Sequence, residues 1–447
     1  MNPLYQKGFT IHSLRNYFSP YFIGMPRPTA DKIFLLLLAI LSIQGVHSVR
    51  YVYQWFLKII SPKSLNAFYY LFSSDKVSFS SLSHATTKLA LTCIPRENEE
   101  YPVFLIIDDT LQPKFGTHFE EYQVMFDHAR HNGSNYLKGH CFVGLVISVP
   151  VTVQGTVRYL NIPLGYRLRA ERENKLGIAA DMVGQAMLHF PVGKKAILLC
   201  DSWYPKGAVR KAVSETPGLE LIANVRKDTR LFDLPPAPTG KRGRPPKKGR
   251  ALDLQADFDL SLKVGDYWVG TRKVMTTLFS NPVYATVTAV NPKDPSSYRL
   301  FLSTIFPEEL ALGEKAKDSF CPDIPYQSRD TLLPYFFYGR RWAIEVLFYE
   351  HKTFWSFGNY MVRSKIGVEV YVNLIAVAYS CVQLLPFHQQ EYAYLKEESA
   401  LTKKQIIGMR IQQELFFYNF VLSLEDRINS FPLLAAFNRW VRQKPSD

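Results

Sequence analysis

Two apolar runs in this sequence end in acidic residues. Residues 101–107 lead into Asp108, Asp109 and Thr110, and residues 196–200 lead into Asp201. Each run reads as a buried strand emptying into a polar turn. In an α/β sheet the carboxyl ends of strands are where side chains meet at a ligand crevice. An acidic residue in that position also commonly caps the helix that follows. A third carboxylate, Glu345, lies in a stretch with Tyr338, Arg341 and Lys352, at intervals of three, four and seven. On one helix, those intervals keep all four side chains near a single stripe, and Trp342, Ile344, Leu347 and Phe348 supply an apolar stripe for docking on a sheet. Three carboxylates at one point repel one another unless a cation or a proton joins them. Hard divalent ions such as Mg²⁺ take oxygen ligands and keep water. A pair of them about 3.5–4 Å apart activates an attacking hydroxyl and stabilises the leaving oxygen of a phosphodiester. Arg341 and Lys352 would then meet phosphates, with Tyr338 stacking or hydrogen-bonding beside the reactive strand. Salt bridges along a helix account for the same spacing, so the residues alone leave both readings open.

The elements that must position these groups alternate along the chain. After the strand at 101–107, residues 141–149 and 156–160 read as the next two strands and 171–190 as a helix. A strand at 196–200, a helix from near Lys206 and a strand at 219–225 follow. Strands separated by helical patterns imply an α/β layer structure. Residues 226–250 break the rhythm. The stretch 234–249 is dense in Pro and Gly, and 241–250 reads KRGRPPKKGR, with six basic residues and no acidic one. Self-repulsion and spoiled pairing predict an exposed, poorly ordered loop. Period-two segments at 267–271, 283–290 and 298–305 predict an antiparallel insertion. From Tyr335 the pattern is helical again, strongest at 342–351, 368–384 and 405–424.

At the start of the chain, residues 33–43, 46–60 and 82–94 read as helices. Tyr51, Tyr53 and Trp55 beside Arg50 and Lys58 suit either a small DNA-contacting domain or a helical packing layer. The expected organisation is therefore a helical domain at 1–95 for DNA binding or packing, then the first part of an α/β core at 96–225. A basic loop and β-rich insertion at 226–325 follow, then a helical completion of the core at 326–390 and a C-terminal helical region at 391–447.

Composition agrees with a folded, multi-part chain. At 447 residues, two or three domains are expected. With 47% hydrophobic and 21% charged residues it can bury a large core, which excludes a mainly disordered tail, a disulfide scaffold and a fibrous repeat. The net charge of +14 suits a nucleic-acid partner, though an anionic surface or simple solubility would fit as well. The five cysteines (Cys93, Cys141, Cys200, Cys321, Cys381) form no close ligand pair and are expected reduced and mostly buried. The most apolar stretch, 33–43, is shorter than the roughly 20 residues that span a bilayer. Lys7 and Arg15 precede no signal-like apolar core, so a cytoplasmic protein with no membrane partner is expected.

The sequence resembles the DDE transposases encoded by bacterial insertion sequences, in the group with a Y-x2-R-x3-E-x6-K signature. Tyr338, Arg341, Glu345 and Lys352 match that signature in full. IIDDTLQPK (106–114) resembles the first catalytic motif, whose Asp immediately before Thr maps to Asp109. LLCDSWYPKG (198–207) resembles the second and maps to Asp201, and 231–249 resembles the basic Pro/Gly loop of relatives. The resemblance covers about 100–385. It implies an RNase H-like catalytic core with a β-rich insertion between the second Asp and the Glu. It further implies Asp109, Asp201 and Glu345 as ligands of two Mg²⁺ ions, with Mn²⁺ as a possible substitute. The activity implied is cleavage at the element's double-stranded ends and joining to target DNA by cut and paste. The partners implied are transposon-end DNA, target DNA and a second copy of the chain, the dimer associating with the nucleoid when on DNA. A metal-dependent nuclease without strand transfer, or an inactive DNA-binding relative, are the alternatives.

Other polar features carry weaker expectations. Lys241, Arg242, Arg244, Lys247 and Lys248 could follow a DNA backbone, or be merely solvated. His118, His128, His131 and His140, with Asp127 nearby, match no strong zinc spacing and suit ordinary polar or DNA-facing roles. Lys114 and Lys206 are phosphate candidates, and Trp203 either packs locally or contacts flipped-out DNA, with packing preferred. Asn132-Gly-Ser134 matches a glycosylation acceptor that has no use in a cytoplasmic chain. If the family mapping holds, Asp109→Asn abolishes metal-dependent cleavage and leaves end binding largely intact; normal cleavage by the purified variant removes Asp109 from the catalytic set.

Overall fold

The computed structural model describes residues 10–46, 48–74, 76–116, 118–126, 135–237 and 246–429. A helical layer comes first. It contains α1 (Arg27–Ser42), which absorbs the apolar stretch at 33–43, and α2 (Phe79–Thr92), whose Ser78 cap accepts from the Ser81 N–H. Between them, residues 49–60 form a helix with a π turn at Tyr53–Leu57; Val52, Phe56 and Leu57 are buried and Trp55 is exposed. This segment packs through one face and leaves its tryptophan outside.

The sheet then begins with β1 (Val103–Pro113), β2 (Gln123–Phe126), β3 (Tyr136–Val153) and β4 (Thr156–Leu168). Next come α3 (Lys175–Met187), β5 (Ala196–Cys200), α4 (Gly207–Glu215) and β6 (Leu219–Val225). β1 lies between β3, antiparallel, and β5, parallel; β6 runs parallel to β5, and β4 pairs along β3. Residues 103–107 and all of β5 are buried, as expected for strands covered on both faces. β3 and β4 outrun the period-based expectation, and β2 was not expected at all, because long apolar runs do not mark where a strand ends.

Residues 226–303 form the expected antiparallel insertion: β7 (Leu231–Phe232), β8 (Ala251–Leu252), β9 (Leu262–Val264), β10 (Tyr267–Thr276), β11 (Val283–Ala289) and β12 (Arg299–Ser303). β12 pairs antiparallel with β6, Leu300 opposite Val225, so the insertion prolongs the core sheet. Val274, Val287, Leu300 and their neighbours form its own small apolar cluster.

The chain returns through α5 (Tyr326–Tyr338), α6 (Trp342–Phe354), α7 (Lys365–His388) and α8 (Ala400–Asn429). By length and composition α7 could cross a membrane, yet most of it is buried within the protein. It is the central helix of the main core, against β4, α1, α2 and α8. The result is an α/β protein with an RNase H-like core, as the sequence implied. All five cysteines are buried and unpaired.

Asn373 is one of the α7 side chains that tie the helix to the sheet, beside Glu369 and Ser380. Asn373 accepts from the Tyr166 N–H at 2.8 Å and donates to the Tyr166 carbonyl at 2.9 Å and the Glu369 carbonyl at 2.8 Å. The strand beside it is irregular: Gly165 has φ +137°, and a Cβ there would lie 2.4 Å from Asn373 Oδ1. Truncating Asn373 leaves two buried strand groups without partners, each costing about 1–3 kcal/mol. Asn373→Ala is therefore expected to lower unfolding free energy by about 2–4 kcal/mol in urea melts; a loss below about 1 kcal/mol would show that the clamp is dispensable.

Candidate active site

Strand alternation separates the two adjacent aspartates. Asp108 is paired across the ladder with Gly144, and Asp109 with Val143. Directly paired residues project to the same face and neighbours to opposite faces. The Gly144 face is the one α6 covers, where a Cβ on Gly144 would stand 2.9 Å from the Phe348 ring. Asp108 accordingly points to α6, and its Oδ2 accepts from Arg341 at 2.8 Å. Asp109 points to the other face. There Lys175 Nζ donates to both its oxygens at 2.9 and 3.0 Å, Tyr204 Oη donates at 2.8 Å, and the Cys141 thiol lies 3.6 Å away. Asn174 accepts from the Leu176 N–H, capping α3 and so setting Lys175 at the helix start.

Asp201 follows β5 directly, and its Oδ1 accepts from the Trp203 N–H at 3.0 Å. The parallel register pairs Ile106 with Leu199, so two residues further on Asp108 comes level with Asp201. Glu345 stands in the first turn of α6, docked through Ile344, Leu347, Phe348 and His351. Trp342, expected in that apolar stripe, is exposed instead. One guanidinium joins the two elements: Arg341 donates to Asp108 at 2.8 Å and to Glu345 at 3.1 Å.

The tetrad Tyr338, Arg341, Glu345 and Lys352 is not on one helix. Tyr338 ends α5, and Arg341 ends a 3-10 turn, Gly339–Arg341, that leads into α6 with helical backbone angles at Tyr338, Gly339, Arg341 and Trp342. Tyr338 packs on Phe301 of β12 with ring centroids 4.8 Å apart, and burial pushes its hydroxyl up to about 12. Lys352 donates to the Leu111 carbonyl of β1 at 2.8 Å. Lys114, a phosphate candidate in the sequence, is committed elsewhere: its ammonium donates to the Gly358 and Tyr360 carbonyls at 2.5 and 2.7 Å.

The electrostatics ask for positive charge. Burial, with Asp201 and Asp109 adding repulsion, pushes the Asp108 carboxyl up to about 7 against the pull of Arg341. Burial and Asp109 also raise Asp201. Hard oxygen donors held at elevated pKa are the donor set a divalent cation suits, so the residues fit a metal chemically. They are not drawn into a cage: among the described residues no three His, Cys, Asp or Glu side chains are gathered to hold an ion. Arg341 occupies the space between Asp108 and Glu345 and supplies the counter-charge itself.

The remaining expectations divide. His140 is buried between the Tyr360 hydroxyl at 2.6 Å and the Glu120 carbonyl at 2.9 Å, and His118 is exposed, so these two form no zinc site. Asp127, His128, His131, Asn132 and Ser134 lie outside the described residues, as do Lys241, Arg242 and Arg244. Lys247 and Lys248 line a groove of about 990 Å³ with Arg210 and Lys211. Lys175 and Tyr204 were missed by motif reading. The period of two was the signal that could have found their aspartate, since it forbids Asp108 and Asp109 from sharing a face.

Compared with known families, residues 20–261 match the family model described as DDE superfamily endonuclease. That stretch includes Asp108, Asp109 and Asp201 and ends before Glu345. No curated protein matches the chain.

Because Asp108 is raised in the folded state, the fold binds its proton more tightly than the unfolded chain does. The stability this contributes is full below the ordinary carboxylate range near pH 4 and is lost as pH rises through about 7. Asp108→Asn removes that loss. In metal-free buffer the variant should exceed the unsubstituted protein by about 1–2 kcal/mol near pH 8 and by little near pH 4.5 in denaturant melts. An equal difference at both pH values would contradict the assignment.

Proposed function

This chain belongs to the DDE superfamily endonucleases, and from that membership we propose that it is a DNA transposase whose carboxylates are Asp108, Asp201 and Glu345. Family membership carries nucleic-acid cleavage and divalent-metal dependence in general terms. Supporting the residue choice is the shared face: Asp108, level with Asp201, is linked through Arg341 to Glu345, whereas Asp109 is turned towards Lys175.

Asp108, Asp201 and Glu345 would hold Mg²⁺, or Mn²⁺ in its place. When bound, a pair of such ions supplies an activated hydroxyl and charge relief at the leaving oxygen. The chain's own part is positional. β1 and β5 bring two carboxylates level at their carboxyl ends, and α6 presents the third from above. Arg341 bonds to both Asp108 and Glu345 in the resting protein, and its planar fork suits phosphate oxygens once those carboxylates have another counter-charge. Asp109 fixes Lys175 beside the same centre. Hydrolysis at an element end leaves a 3′-hydroxyl, and attack of that hydroxyl on target DNA exchanges one phosphodiester for another, so no nucleotide cofactor is consumed. A dimer joins two ends in this reading, and Lys247 and Lys248 with Arg210 and Lys211 offer a basic groove for the duplex.

A nuclease without strand transfer is the competing reading, favoured by a family match that stops before Glu345. Duplexes carrying the DNA that flanks the coding region, incubated with Mg²⁺ and a target plasmid, separate the two. Cleavage with joining supports the transposase; cleavage without joining leaves the nuclease. Asp108→Asn, Asp201→Asn and Glu345→Gln should each lower cleavage by at least about a thousandfold, with Asp109→Asn losing on the order of tenfold to a hundredfold. Equal loss in the two Asn variants of β1, with Lys175 unimportant, would return the ligand role to Asp109.

A further inference from the structure

At the opposite end of α6 from Glu345, three helices leave a cleft between them. The end of α1, the last turn of α6 and the first half of α8 enclose about 470 Å³, and Ile43, Phe354, Leu401 and Met409 give it an apolar wall. α8 is drawn onto α1 beside the cleft. A Cβ on Gly408 would stand 2.4 Å from the Leu41 carbonyl oxygen, and Gln412 donates to the Ser42 carbonyl at 2.7 Å. The Ser42 hydroxyl turns back to the Leu38 carbonyl. These polar groups are satisfied within the protein.

One group of the wall is not. Lys404 of α8 lines the cleft and is only 4% exposed. Its neighbour Lys403 is buried as deeply, but donates to Gln383 at 2.8 Å and feels the carboxylates of Glu398 and Glu350. Among the described residues the Lys404 ammonium meets no hydrogen-bond acceptor; it lies over the Trp355 indole, 4.7 Å from the ring centroid. Burial alone lowers it to about 8, with no acid near enough to oppose the shift. At neutral pH it therefore still carries a charge, and a buried cation without a counter-ion is costly. The indole face offsets only part of that cost.

We propose that this cleft binds a small amphipathic carboxylate, its anionic group on Lys404 and its hydrocarbon part against Ile43, Phe354, Leu401 and Met409. The sign of the ligand's charge follows from Lys404, and its single charge from the rest of the lining, which holds no other acidic or basic side chain among the described residues. A nucleic-acid backbone, which needs a row of cations, has no such row here. The volume falls in the range of about 300–1,000 Å³ typical of small-molecule sites. Once bound, the carboxylate supplies the missing counter-charge and makes a charge-assisted bond that ties α8 to the ligand lying on α1 and α6.

The test titrates the full-length protein at pH 7 with sodium octanoate, 1-octanol and inorganic phosphate by calorimetry, alongside thermal melts. Octanoate should bind with a dissociation constant below about 1 mM and raise the thermal midpoint, with the uncharged octanol and the tail-less phosphate at least about tenfold weaker. Lys404→Met should melt no lower than the unsubstituted protein without ligand, since an unpaired buried charge has gone, yet bind octanoate at least about tenfold more weakly. Leu401→Trp, which keeps the ammonium and fills the cleft, should lose octanoate as well. Octanoate binding to Lys404→Met as tightly as to the unsubstituted protein would overturn the proposal, and so would octanol or phosphate binding as tightly as octanoate. No octanoate binding up to about 10 mM would overturn it too. The cleft shares no residue with the carboxylate centre, so these outcomes leave the cleavage reading where it stands.

Discussion

The crowding of carboxylates at the carboxyl ends of β1 and β5 is the constraint from which the rest of this centre follows. Asp108 and Asp201 come level because a parallel ladder holds their strands in register, and the register is fixed by apolar side chains buried on both faces. The backbone leaves no freedom to move the charges apart. Burial strengthens their repulsion, so the fold must either keep a proton there or bring a positive group to them. Arg341 is that group in the resting protein. It stands at the junction of α5 and α6, four residues before Glu345, and reaches across to Asp108 of β1. A guanidinium is suited to the task, since it stays charged under all ordinary conditions and offers two forks to two carboxylates.

Two consecutive acidic residues in a strand cannot do the same thing. Their side chains leave the sheet in opposite directions, so β1 serves α6 with one and α3 with the other. On the α6 side the carboxylate faces an arginine already shared with another carboxylate. On the α3 side it faces a lysine whose charge it neutralises alone, with a tyrosine hydroxyl completing its hydrogen bonds. The first arrangement is short of positive charge and the second is balanced. That difference in local charge is what distinguishes the two aspartates of β1.

Much of the fold was legible in the sequence because it rests on periodicity. The buried runs of β1 and β5, the helical pattern of α7 and the period-two segments of the insertion all follow from which residues must avoid water. The positions of Asp201 and Glu345 at a strand end and on a docked helix were legible for the same reason. What was not legible depends on contacts made after the chain has folded. The 3-10 turn at Gly339–Arg341 interrupts the α-helical pattern between Tyr338 and Trp342, and no residue there signals it. Which helix each of Asp108 and Asp109 faces depends on the strand's phase relative to α6, which a motif aligned by its Thr does not contain. Lys175 is remote in sequence from both motifs, and only the packing of α3 against β3, β1's neighbour, brings it to Asp109. Trp203 follows an apolar strand and so invites a packing role, yet the turn at Asp201 swings it outward.

The lysines near β1 show how the centre is held rigid enough for such discrimination to matter. Lys352 of α6 donates to the Leu111 carbonyl, and Lys114 donates to the Gly358 and Tyr360 carbonyls between α6 and α7. These three bonds tie the outgoing end of β1 to α6 and to the segment that follows it. Charge-assisted bonds to carbonyls are stronger than neutral ones, and burial of Lys114, which lowers its ammonium to about 8, raises the cost of breaking that tie. The strand bearing Asp108 and the helix bearing Glu345 are therefore laced together beyond the carboxylates as well as through Arg341.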